Sequence, residues 1–164
     1  MEIINILNDF YRLHHFVLLT ADVMFVNGVP FLVTLFRKIG LRTTEHIQTC
    51  TAKLLSSSLI KVVKMYTRGG FIVNIILMDQ KINKLELKLD IVEINTTAAR
   101  EHIGKIEQNI RTIKERARAI VTILPCGILP KQLVILLVYF VVMFINCLSA
   151  AKGISEKYLI GKPC

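Results

Sequence analysis

The chain has 164 residues, enough for one domain with a real core and too few to expect two. Its apolar fraction of 53% predicts a large buried fraction, several fully buried strands or a membrane segment, while a net charge of +9 crowded onto the remaining surface implies an acidic partner, either nucleic acid or anionic lipid. Four cysteines and four histidines, with no CxxC or HxxxH-type pair among them, exclude a readable zinc site or disulfide framework and favour a reducing, intracellular compartment, nuclear or cytoplasmic. The first residues, with Glu2 and Asp9-Phe10-Tyr11-Arg12, do not read as a secretion signal.

Residues 1–15 mix polar and apolar types without a clear period and read as a lead-in to a core over 16–151, with 152–164 as a tail. Phe16 to Val26 is almost wholly apolar, and Asn27-Gly28 separates it from a second apolar run, Val29 to Phe36, which is the strongest short-range hairpin signal. Pro30 suits the first residue of a strand, and Leu41 to Thr49 extends the meander. Thr51 to Thr67 has helical periodicity with Leu54, Leu55, Leu59, Val62, Val63 and Tyr66 on one side, and Arg68-Gly69-Gly70 stops it. Phe71 to Met78 reads as a buried parallel strand ending on Asp79, followed by a weak helix, Gln80 to Leu89, and a strand, Asp90 to Thr96. The order predicts an α/β fold. Because crossovers are right-handed, the Phe71–Met78 strand returns parallel beside the first strand, in a mixed five-stranded sheet flanked by helices.

Thr97 to Leu124 is the longest periodic segment. Ile103, Ile106, Ile110, Ile113, Ala117, Ile120 and Leu124 form one apolar stripe, and the other faces carry Arg100, Lys105, Arg111, Lys114, Arg116 and Arg118. Of these, Arg100, Lys105, Arg111 and Lys114 are the candidate nucleic-acid contacts. Within this basic surface Glu107 precedes Arg111 by four residues, so an ordinary helix pair, contributing about 0.2–0.5 kcal/mol, is the bland reading. Asp22, inside the first apolar strand, needs a partner, and a Lys or Arg would suffice. Asp79 just after a strand often caps the next helix. Taken together, Asp22, Asp79 and Glu107 are a candidate three-carboxylate cluster. Converging carboxylates repel unless cations sit between them, and their hard oxygens select Mg²⁺ or Mn²⁺. A pair of such ions suits in-line phosphoryl displacement.

The blocks TADVMFVNGVPFLVTL, ILMDQ, NTTAAREHIGKIEQNIRTIKERARAI and VYFVVMFINCLSAAKGISEKYLIGKP resemble, in order, segments of the integrase core of Copia-type retrotransposon polyproteins. The third is the most specific, with Gly104 ahead of Glu107 and Asn109 and Arg111 after it. The resemblance covers roughly residues 10–162 and implies a ribonuclease-H-like fold with catalytic and metal-binding Asp22, Asp79 and Glu107. It further implies a two-metal Mg²⁺ or Mn²⁺ site, DNA as partner and no small-molecule cofactor, with a homo-oligomer also compatible. It departs from the family in the short interval of 27 residues between Asp79 and Glu107, in Gln80 after Asp79, and in lacking the family's HHCC module, as a fragment or a decayed copy would.

Two other readings compete. Gln132 to Ala151 is 20 residues without a charge, long enough to span a bilayer, although Gln132, Asn146 and Ser149 and the need to cover a sheet favour a buried core helix. Alternatively, the Ile103–Leu124 stripe pairs with another helix in a non-catalytic module.

Overall fold

A computed structural model describes residues 8–78, 93–95, 99–125 and 128–148, the side chains of 8–10, 93–95 and 99–103 excepted. β1 (Phe16–Val26) and β2 (Val29–Phe36) form the hairpin that Asn27-Gly28 announces. Both turn residues take positive φ, 47° at Asn27 and 75° at Gly28, the backbone that a two-residue turn matched to strand twist requires. β3 (Leu41–His46) pairs antiparallel with β2, β4 (Ile72–Met78) pairs parallel with β1, and β5 (Glu93–Asn95) lies parallel to β4. Among the described residues the sheet runs β3-β2-β1-β4-β5, four full-length strands with a three-residue strand at one edge. This is the mixed α/β architecture expected from the sequence. The predicted helix Gln80–Leu89 lies outside the described residues.

Among the described residues four helices accompany the sheet: α1 (Asn8–His14), α2 (Ala52–Arg68), α3 (Ala99–Val121) and α4 (Lys131–Cys147). Strand alternation sends Val17, Leu19 and Ala21 of β1 to one face, where they join Leu32, Phe36, Val73, Ile76 and Met78 under Leu55, Leu59, Val62 and Tyr66 of α2. Met24, Phe31, Val33 and Leu35 point the other way and meet Ile106, Ile113 and Ala117 of α3 and Val134, Val138, Val141 and Ile145 of α4. β2, covered on both faces, is buried at every residue, as its continuous apolar run requires. Within the lead-in, α1 docks on the domain: the Tyr11 ring stacks on Phe71 at 5.0 Å, and a side chain at Gly70, whose φ is 82°, would collide with Tyr11.

The two competing readings give way. The α3 stripe does not await another helix, because Ile106, Ile113 and Ala117 are already spent on the sheet; it also ends sooner, with Val121 the last helical residue and Leu124 exposed. Nor is α4 a span. Its 17 residues reach about 26 Å, short of a hydrocarbon core of about 30 Å, and among the described residues no helix is long and apolar enough to cross a membrane.

α4 instead covers the outer edge of β3. The Asn146 carboxamide behaves as a missing strand: its Oδ1 accepts the Arg42 N–H at 3.0 Å, and its Nδ2 donates to the Arg42 carbonyl at 2.7 Å. Nearer the start of α4, the Tyr139 hydroxyl accepts the His46 N–H at 3.1 Å. Edge groups that could otherwise pair with another chain are thereby occupied.

Candidate functional site

Period two fixes where Asp22 points. Its partner on β2 is Val33, which packs in the α3/α4 core, so Asp22 shares that sheet face; continuing outward, Val33 pairs with Thr44 of β3. The flanking rows are Thr20, Leu35 and Arg42 on one side and Met24, Phe31 and His46 on the other. Each row therefore ends in a polar residue on β3. Asp22 is half-buried, and its Oδ1 accepts the Val23 N–H at 2.7 Å.

α3 crosses this same face over β1, β2 and β4. Glu107 immediately follows the buried Ile106 and is exposed, one step around the helix from the sheet. Glu107, Arg111, Lys114 and Arg118 recur at spacings of four, three and four, so they share one flank of α3. Lys105 belongs to the other flank, near Arg116, and so separates from Arg111 and Lys114, with which composition had grouped it. Arg100 lies in the first turn of α3, its side chain outside the described residues. Asp79 follows the last residue of β4 in sequence and is also outside them. Among the described residues no three His, Cys, Asp or Glu side chains cluster to hold a metal ion, a set from which Asp79 is missing.

The structure adds a polar corner that the sequence did not reveal. Arg42 reaches from β3 to α3, where its Nε donates to Oδ1 of Asn109, while Nη1 donates to the Gly40 carbonyl at 3.0 Å. Asn109 is 5% exposed, within the apolar stripe of α3, and Asn146 sits in the apolar stretch of α4. Burial lowers the Arg42 pKa from its ordinary value. Burial, then the nearby Lys131 charge, lowers that of His46, whose ring lies edge-on to Phe31. A signal was present in the sequence: Arg42, Thr44 and His46 alternate along β3, and Asn109 and Asn146 interrupt apolar patterns.

No protein family profile and no curated protein sequence matches the chain. Among solved structures, it is similar to the catalytic core domain of BIV integrase, with a TM-score of 0.54 and 19% identity over 85% of this chain and 86% of that one. At that identity the likeness is one of fold: a mixed sheet flanked by helices, as in a ribonuclease-H-like integrase core.

Proposed function

We propose that this chain is an integrase-like core of the Copia retroelement type that binds DNA and carries out divalent-metal-dependent phosphoryl transfer, joining a DNA end to a second duplex. The observation that carries the reading is the placement of Asp22 on the central strand, facing the side of the sheet crossed by the helix that bears Glu107, within an integrase-core fold.

In this reading residues 16–151 form the core, and Asp22, Asp79 and Glu107 hold Mg²⁺ or Mn²⁺. The donor chemistry fits, since carboxylates are the hard oxygen ligands such ions prefer, and β4 ends at Met78, opposite Ala21 and one residue before Asp79 in sequence. When bound, the metal supplies Lewis-acid stabilisation of charge on the reacting phosphate. The protein's own part is positioning. Arg111 and Lys114 hold backbone phosphates along the flank shared with Glu107, and the apolar packing of Ile106 and Ile113 fixes the helix that carries all three. Exposed Leu136, Phe140 and Met143 on α4 support a homo-oligomer within the same reading.

The test is Mg²⁺- or Mn²⁺-dependent joining of a labelled DNA end to a second duplex, with melting curves and DNA binding measured in parallel. Glu107→Gln should reduce joining by orders of magnitude while folding and binding persist. A Glu107→Gln protein that joins ends at the parental rate removes Glu107 from the site.

A further inference from the structure

We propose that the corner between β3, α3 and α4 is a binding site for a phosphate oxyanion, with the Arg42 guanidinium and the Asn109 amide as its donors. The identification of its natural occupant as a phosphodiester of bound DNA rests on the function proposed above; the site itself rests on the following geometry.

Arg42 is a half-buried cation whose neutralising partner is absent among the described residues. Its two side-chain hydrogen bonds end on neutral oxygens, Oδ1 of Asn109 and the Gly40 carbonyl, and burial is what lowers its pKa. A guanidinium is normally matched by a carboxylate or a phosphate, whose oxygens fit its fork of five donors.

The Asn109 carboxamide points to the same ligand. A guanidinium can only donate, so the atom of Asn109 facing Arg42 must be its oxygen, and this turns the Nδ2 N–H groups away from Arg42. Nδ2 is buried and has no acceptor among the described residues. Two residues along β3, on the same sheet face, the Thr44 hydroxyl is also buried with no partner among the described residues. Leaving a buried donor unmade forfeits its hydration with nothing in return. An uncompensated cation, an unused amide donor and an unused hydroxyl have one common complement, an acceptor-rich anion. The chain's net charge of +9 favours a phosphate of a polyanion over an isolated carboxylate.

The full-length protein is tested with inorganic phosphate and, separately, with a short DNA duplex. Inorganic phosphate, against chloride at equal ionic strength, should raise the melting temperature of the parent by about 2–5 °C at concentrations well above the dissociation constant. Arg42→Gln should abolish that rise, and Arg42→Lys should restore part of it. Asn109→Asp places a carboxylate against Arg42 from within. This variant should melt higher than the parent without phosphate and gain nothing from it, and it remains informative should Arg42→Gln not fold. On duplex DNA, Arg42→Gln should reduce the slope of log affinity against log salt by about 0.9, the loss of one phosphate contact. A parent whose melting temperature is the same in phosphate and chloride overturns the site. A phosphate effect lost in Arg42→Gln with no DNA binding by the parent retains the site and rejects DNA as its occupant.

Discussion

The two faces of the sheet are built from different materials. Under α2, Leu19, Leu32, Phe36, Leu59 and Ile76 are wholly buried in an apolar layer; its internal side-chain polar contact, the Thr34–Thr43 hydroxyl pair at 2.6 Å, is self-contained. Under α3 and α4 the apolar centre gives way toward the rim to Asp22, Thr44, Arg42, Asn109 and Asn146. A face that only stabilises can be filled with hydrocarbon, which gains from burial at about 25 cal/mol per Å². A face that must also meet a charged ligand keeps polar groups near its rim, where each unpaired one is a liability. The contrast predicts that substitutions on the α2 face change stability and leave chemistry alone, and that those on the α3/α4 face do the reverse or do both.

The sharpest break in that comparison is Asp22→Asn. It preserves shape but removes a carboxylate from the α3/α4 face, so metal-dependent end joining should fall by orders of magnitude, measured beside a melting curve that moves little. Next in size is Leu59→Ala on the opposite face. Leu59 is 0% exposed, and its truncation should lower unfolding free energy by about 2–5 kcal/mol in urea titrations, with DNA affinity unchanged in the folded protein. Equal loss of joining at full folding would place function on the wrong face.

Asn146→Ala sits between these cases, because Asn146 completes the edge of β3. Removing it exposes two backbone groups of Arg42 and should cost about 1–3 kcal/mol, with faster amide exchange at Arg42 as the direct readout. Among the basic residues, Arg111→Gln and Lys114→Gln should each reduce the salt slope of duplex binding by about 0.9, whereas Lys105→Gln on the far flank should leave it unchanged. Equal effects from all three would mean that DNA contacts both flanks of α3.

The smallest effect belongs to Tyr66 on the α2 face, whose hydroxyl is buried with no partner among the described residues and whose pKa burial raises above its ordinary 10.0. Since the folded value lies above the unfolded one, the neutral phenol's contribution to stability is complete below about pH 10 and is lost as pH rises further. Tyr66→Phe should therefore change stability by less than about 1 kcal/mol at pH 7 and flatten the alkaline decline, read from denaturation midpoints between pH 8 and 11.

Much of this was legible in the sequence by itself. Asn27-Gly28 determined the hairpin because few residues take the two positive φ angles of its turn. The apolar runs of β1 and β2 and the stripes of α2 and α3 determined which elements form, since each must hide one face from water. The basic excess and the placement of Asp22 and Glu107 on a strand and a helix were equally visible. Tertiary structure alone decided the rest. The same 20-residue apolar stretch fits a membrane or a protein core, and hydropathy does not distinguish them; the edge of β3 does, by supplying the backbone groups that Asn146 and Tyr139 meet. Likewise, nothing local unites Arg42 with Asn109 or separates Lys105 from Arg111 and Lys114. The first pairing joins residues 67 positions apart, and the second needs the direction in which α3 turns its buried side, both set by how helices pack on the sheet.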